Sequence, residues 1–250
     1  MYEFLDKLNL KKDDILLVAS NIIPLAFEFK KQGLDFNPDE FIDELKKRVS
    51  TLLFPVFNYQ FCEGETFDYK NTPPSTLMGT LSLSAFKRKD FKRTKHPVFS
   101  FMAWGKYQNE FVNLNNIDAF GMDSPFGLLY KLKAKMLFIN IEYNFSFTYV
   151  HFVEHQENAN YRYHKAFSAK YIDENGKESQ KTYKLLVRNL EKGVVNNINP
   201  TGKILEAKNI AKKQILNNSE FVLVDLYKAY DVIAYQVKNN PLNLVKMDKK

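Results

Sequence analysis

"KMLFINIEYNFSFTYVHFVEHQ", residues 135–156, sets the reading of the whole chain. Residues 135–143 form a mostly apolar run of strand length, as expected for a strand buried on both faces. From Phe147 the pattern turns helical and continues to Ala159. One buried strand feeding one helix is the unit of an α/β fold, and similar units lie on both sides of it. Upstream, 13–20 and 51–57 read as buried strands, with a helix over 37–50 between them. Asn37 is its N-cap, Pro38 its first residue, and acidic side chains fill its first turn. Residues 81–89 read as helix, 96–105 as strand and 124–134 as a short helix. Downstream, 173–179 reads as a hairpin or exposed loop, 181–190 as strand and 202–216 as one helix. A strand over 219–227 and a last helix over 226–240, ending before Pro241, complete the set. The alternation predicts an α/β layered fold, a mostly buried central sheet flanked by helices. With no internal repeat, Gly/Ser linker or low-complexity tract, residues 1–250 read as a single domain.

The formal charge is +7 over 250 residues. Lys and Arg are spread along the chain, with a cluster in 87–96 ("KRKDFKRTKH") and a trailing "KMDKK". That spread fits a solvated basic surface or a site for a phosphate-rich small ligand rather than a nucleic-acid patch. Cys62 is the one cysteine, which excludes an intramolecular disulfide and a cysteine-built zinc site and suits a reducing cytoplasm. The N-terminal residues 1–14 are charged and patterned like a helix, not like a signal peptide. No apolar run approaches the roughly 18 residues of a spanning helix, so no membrane partner is expected.

The chemistry concentrates at His151, Glu154 and His155. On a helix His151 and His155 can face one metal, the order used by some zinc peptidases. A downstream acidic ligand motif is missing, and His164 could join only through folding, so no metal is expected. Alternatively, Glu154 sits one turn from His151, where a carboxylate fixes the imidazole tautomer and makes a general base. The same pair could also be a solvated helix face. His96, before Pro97 at a strand entrance, reads as a structural hydrogen-bonding residue or as the lining of a cleft. The polar stretch 58–80 is too long for an idle loop. G-x-S-x-G, Walker A and G-x-G-x-x-G signatures are all missing, and Cys62 sits in no nucleophile motif.

Four blocks in order carry a resemblance: "FPVFNYQFCEGETFDYKNTPPSTLMGTLSLSAFKR" (54–88), "KRTKHPVFSFMAWG" (92–105), "DAFGMDSPFGLLYKL" (118–132) and "KMLFINIEYNFSFTYVHFVEHQENANYRYHK" (135–165). Together they resemble the aminoglycoside 3-N-acetyltransferase family, collinearly over nearly the whole chain. The resemblance implies transfer of an acyl group from acetyl-CoA, or another acyl-CoA co-substrate, to an amine, with no permanently bound cofactor. It implies His151 as the base and Glu154 as its orienter. Ser20 and the segment Ser75, Thr76, Met78 and Gly79 would meet the CoA arm, Lys87 and Arg88 its phosphates, and His96 and Ser100 the acyl region. Ser124, Tyr161 and Arg162 would lie on the substrate side. The chain departs from the family pattern in Ala19-Ser20-Asn21 after the first strand and in two extra residues within "NTPPSTLMG". It also has no obvious long acidic substrate loop. The expected acceptor is therefore an amino sugar, nucleotide-linked, for surface glycans. The alternatives are an aminoglycoside antibiotic and, from another class, a non-catalytic CoA- or sugar-binding protein. A homo-oligomer is compatible with all of these.

Overall fold

In the computed structural model, residues 2–247 are described; the last three residues of the basic tail lie outside them. The strands are β1 (Ile15–Ser20), β2 (Thr51–Pro55), β3 (Phe67–Asp68), β4 (Lys92–Arg93), β5 (Phe101–Gly105), β6 (Lys135–Ile139), β7 (Arg162–Ile172), β8 (Glu178–Arg188), β9 (Val194–Asn196), β10 (Ala211–Leu216), β11 (Ser219–Asp225) and β12 (Val245–Met247). The helices are α1 (Ile23–Lys31), α2 (Pro38–Lys46), α3 (Gly79–Lys87), α4 (Gln108–Val112), α5 (Pro125–Lys131), α6 (Tyr143–Ser146), α7 (Tyr149–Gln156), α8 (Asn199–Ala207) and α9 (Leu226–Asn239).

A seven-stranded sheet in the order β10-β11-β6-β1-β2-β5-β4 is the frame. Its centre, β6-β1-β2, is parallel, and its outer pairs are antiparallel. The period of two along each central strand divides the core. Leu16 and Val18 of β1, Leu52 and Phe54 of β2 and Leu137 of β6 pack on the face carrying α1, α2 and α3. Leu17, Leu53, Met136 and Phe138 pack on the opposite face, against α5, α7 and α9. Every residue of β1 and β2 is buried, which is why both read as continuous apolar runs. The layered α/β expectation holds.

Local details follow the sequence where its signals are strong. Asn37 caps α2, its Oδ1 accepting from the backbone N–H of Asp39 and Glu40 at 2.9 and 3.3 Å. The stretch 202–216 is corrected: α8 ends at Ala207, Asn209 takes φ +56°, and 211–216 is strand β10. The basic cluster 87–96 is not uniformly solvated either. Arg93 is buried, its guanidinium bonded to Ser100 Oγ and to the carbonyls of Tyr69 and Thr72. Arg93 thus fastens the long 58–80 segment to the sheet.

Gly79 links that segment to β1. Its φ is +77°, and a Cβ there would stand 2.8 Å from the Ser20 carbonyl oxygen. Gly79→Ala is expected to lower stability in denaturant unfolding by about 1–3 kcal/mol. Gly64→Ala, at φ +87° with nothing within 4 Å of a new Cβ, should cost less.

Candidate functional site

Strands β1 and β6 are neighbours, yet α1 leaves β1 toward one face and α7 follows β6 on the other. Such a switch opens a crevice beyond the carboxyl ends of the strands, where open α/β sheets hold ligands. A chamber of about 500 Å³ lies there, lined by Ser20, Asn21, Pro55, Met78, Asn140 and Tyr149 among others. A second chamber of about 430 Å³ holds His151, Arg162 and Arg188. Tyr59, Phe145, Ser146 and Thr148 line both, so the two meet along a common wall.

His151 sits in the first half of α7 with its side chain 15% exposed. Its Nδ1 lies 2.7 Å from Glu154 Oε2, the one-turn contact that the spacing predicts. Glu154 is fully buried, and Arg162 at the start of β7 brings its Nε to 2.5 Å from the same oxygen. Arg162 is held in turn by Asn196, whose Oδ1 accepts from Nη2 at 2.8 Å. Burial opposes ionisation of Glu154, but the charge of Arg162 and the hydrogen bond from His151 outweigh it and hold the carboxyl below its usual range. Burial, reinforced by Arg162, pushes His151 below the ordinary imidazole value. At neutral pH the imidazole is therefore uncharged. Its Nδ1–H donates to Glu154, which leaves the Nε2 lone pair available as a base. The solvated-pair reading of His151 and Glu154 is overturned by the burial of the carboxylate.

His155 takes no part in this contact. Its Nε2 lies 3.2 Å from Asp118 Oδ2, and His164 Nδ1 lies 3.4 Å from the same oxygen. The two histidines of the H-x-x-E-H motif thus address different carboxylates, which corrects the possibility that they face one ion.

Of the other expected residues, Ser20 and Met78 line the strand-end chamber, and Gly79 packs on the Ser20 carbonyl. Ser75 caps the short helical turn Thr76–Met78, its Oγ accepting from Leu77 N–H, and Thr76 is exposed. Tyr161 is buried, and burial beside Glu154 raises its phenol pKa.

Lys87 and Arg88 are not brought to either chamber. They border a separate depression with Asp39 and Thr80, and Arg88 is engaged by Asp39, Asp43 and Asp90 at 3.3, 2.6 and 3.0 Å. A guanidinium with three carboxylate partners has little charge to offer a phosphate. His96 is likewise corrected: it is buried, its Nδ1 accepts from the N–H of Val98 and Phe99, and burial pushes its pKa down to about 3. Ser100 is buried between Arg93 and the Val56 carbonyl. Ser124 is the N-cap of α5, accepting from Gly127 N–H. All three are structural in these positions.

Tyr59, Ser146, Thr148 and Arg188 were not predicted. Ser146 and Thr148 stand in the opening stretch, but their role as a dividing wall exists only once α6 and α7 are folded. Cys62 lines the His151 chamber, and burial, with Glu63 adding to it, pushes its thiol up to about 11. It remains a protonated, poor nucleophile near neutrality.

A switch-point crevice that meets a chamber holding a buried Arg–Glu–His chain has room for two ligands beside an uncharged imidazole. The family profile described as aminoglycoside 3-N-acetyltransferase matches residues 38–238. This chain belongs to that family. The SPbeta prophage-derived aminoglycoside N(3')-acetyltransferase-like protein YokD of Bacillus subtilis (strain 168) is 29% identical over 146 residues, covering 58% of this chain and 47% of YokD. The match therefore spans about half the length of that relative. Among solved structures, the crystal structure of YokD protein from Bacillus subtilis superposes with a TM-score of 0.79 at 23% identity, covering 95% of this chain and 92% of the other. AAC-IIIb in its binary complex with CoASH gives 0.77 at 16% identity, covering 94% and 93%. Sisomicin-bound AAC-VIa gives 0.76 at 15%, covering 94% and 95%. At these identities the likeness is one of fold.

Among the described residues no helix is long and apolar enough to cross a membrane.

Proposed function

We propose that this protein is an acyl-CoA-dependent N-acetyltransferase acting within one domain, with an amino sugar as acceptor. The observation that carries this reading is the neutral His151, aligned by Glu154 and Arg162, in a chamber that meets the strand-end crevice. Family membership and the CoASH held by AAC-IIIb support acetyl-CoA as donor. The strand-end chamber takes the acyl-pantetheine end of the donor, with Ser20 and Met78 in its wall, and the His151 chamber takes the acceptor.

An amine is protonated near neutral pH and cannot attack until a proton is removed. With that proton lost to solvent, Nε2 of His151 takes a second proton from the nitrogen as it adds to the thioester carbonyl. The C–N bond forms, the C–S bond breaks, and the proton on Nε2 passes to the departing sulfur, releasing CoA as the thiol. Glu154 stabilises the transient imidazolium, and Arg162 keeps Glu154 ionised. No net charge is left on the protein.

Within this class the acceptor is a nucleotide-linked amino sugar of glycan biosynthesis, in a cytoplasmic setting. The sisomicin bound by AAC-VIa favours a second reading, acetylation of an aminoglycoside. Thiol release from acetyl-CoA across a panel of amino-sugar nucleotides and aminoglycosides separates them. Release dependent on a sugar nucleotide is the expected result. Release with aminoglycosides alone selects the second reading, and CoA binding without turnover on any acceptor would leave a binding protein.

A further inference from the structure

We propose that the His151 chamber takes an acceptor whose amine is accompanied by an anionic group, a phosphate or a carboxylate, and that Arg188 is the residue that reads it. This rests on the transferase reading above.

The charge lining the chamber carries the inference. Arg162 and Arg188 are register partners across β7 and β8, so both side chains stand on one face of the hairpin, toward the chamber. Like charges directly opposite on a sheet destabilise it unless something compensates. Arg162 is compensated by Glu154 and held by Asn196. Arg188 is half-buried and has no carboxylate partner among the described residues. The chamber lining contains neither Asp nor Glu. Glu154 lies behind the wall, and its charge is already matched by Arg162. One guanidinium charge is therefore left over, beside the base.

That surplus discriminates between acceptor classes. A polyamine-like acceptor brings several positive charges, finds no carboxylate in the lining and meets an unpaired guanidinium, a like-charge contact that costs affinity. A phosphate or carboxylate beside the reacting amine meets a planar donor fork with no competing partner. Pairing it there also relieves the Arg162–Arg188 juxtaposition. The field of Arg188 opposes protonation of His151, so the same residue helps to keep the base neutral.

The phosphates of CoA offer the same chemistry, and kinetics with both substrates varied separate the two sources. The probes are acetyl-CoA with glucosamine, glucosamine 6-phosphate, UDP-glucosamine and kanamycin, run on the wild-type protein, Arg188→Gln and Arg188→Lys. The expected result is a kcat/KM at least about tenfold higher for a phosphate-bearing amine than for glucosamine, the scale of one charge-assisted bond. Arg188→Gln should erase that preference through the acceptor KM and leave the acetyl-CoA KM in place, with partial recovery in Arg188→Lys. Equal or better use of kanamycin would overturn the inference while leaving the transferase reading intact. A rise confined to the acetyl-CoA KM would overturn it by moving Arg188 to the donor. Should no probe turn over, calorimetric binding decides. Glucosamine 6-phosphate binding that glucosamine does not match and Arg188→Gln loses would support the anion site, and equal binding of the two would overturn it.

Discussion

His151→Ala is expected to lower kcat by about 10²–10⁴-fold, the usual contribution of a positioned general base, with acetyl-CoA affinity nearly unchanged. The acetyl-CoA affinity is expected to be spared because His151 lines the chamber proposed for the acceptor and not the strand-end chamber. Single-turnover kinetics with a direct measurement of acetyl-CoA binding check both halves. Near-normal turnover would remove His151 from the reaction, and a parallel loss of donor binding would make it a donor contact instead. In the wild-type protein the acidic limb of kcat/KM should fall below the ordinary imidazole value of 6.5, because burial and Arg162 depress the pKa of His151.

Arg162→Ala should have the largest effect on stability, a loss of about 3–5 kcal/mol. The reason is the carboxylate left behind: Glu154 is fully buried, and Arg162 is its cationic neighbour at 2.5 Å. Without that charge the Glu154 pKa rises and the acidic limb of the rate profile moves to higher pH, since Arg162 also depresses His151. The sign for stability follows from the same shifts. Glu154 is more acidic folded than unfolded, so its contribution is complete above the ordinary carboxylate value and is lost as pH falls through the depressed one. His151, depressed and buried as the neutral form, adds to acid sensitivity in the same direction. A double variant, Arg162→Met with Glu154→Gln, removes both charges. It should regain much of the stability while activity stays low, because His151 then lacks its carboxylate. Urea unfolding at several pH values measures both variants against the wild type; a stable Arg162→Ala would mean that Glu154 is neutralised in another way.

The residues read most directly were those whose signals are local. Asn37-Pro38 fixed the start of a helix through a cap that needs only its own next turn, and the apolar runs 15–20 and 51–55 are strands covered on both faces. The His151–Glu154 contact also follows from one turn of helix. Residues 202–216 mislead because "AKKQIL" has the composition of a helix. Asn217 and Asn218, both at positive φ, instead close a hairpin that pairs it with β11, and Asn-Asn is a weaker hairpin signal than Asn-Gly. Strand β7 is hard to see because most of its residues are exposed and its buried apolar positions, Ala169 and Tyr171, lie at one end. The site was legible only where its parts were close in sequence. Arg162 was placed on the substrate side by resemblance, but its contact with Glu154 depends on how β7 returns past α7. Arg188, 37 residues beyond His151, carries no motif at all.

The β7–β8 hairpin pairs with β3 and lies outside the seven-stranded sheet. On the proposed reading, the sheet builds the donor end and this appended ribbon supplies the selective wall for the acceptor. Preference for one amine over another can then change by rewriting a few ribbon positions, while the scaffold that holds the thioester stays as it is. Such an arrangement makes specificity a separable, exchangeable module of the enzyme.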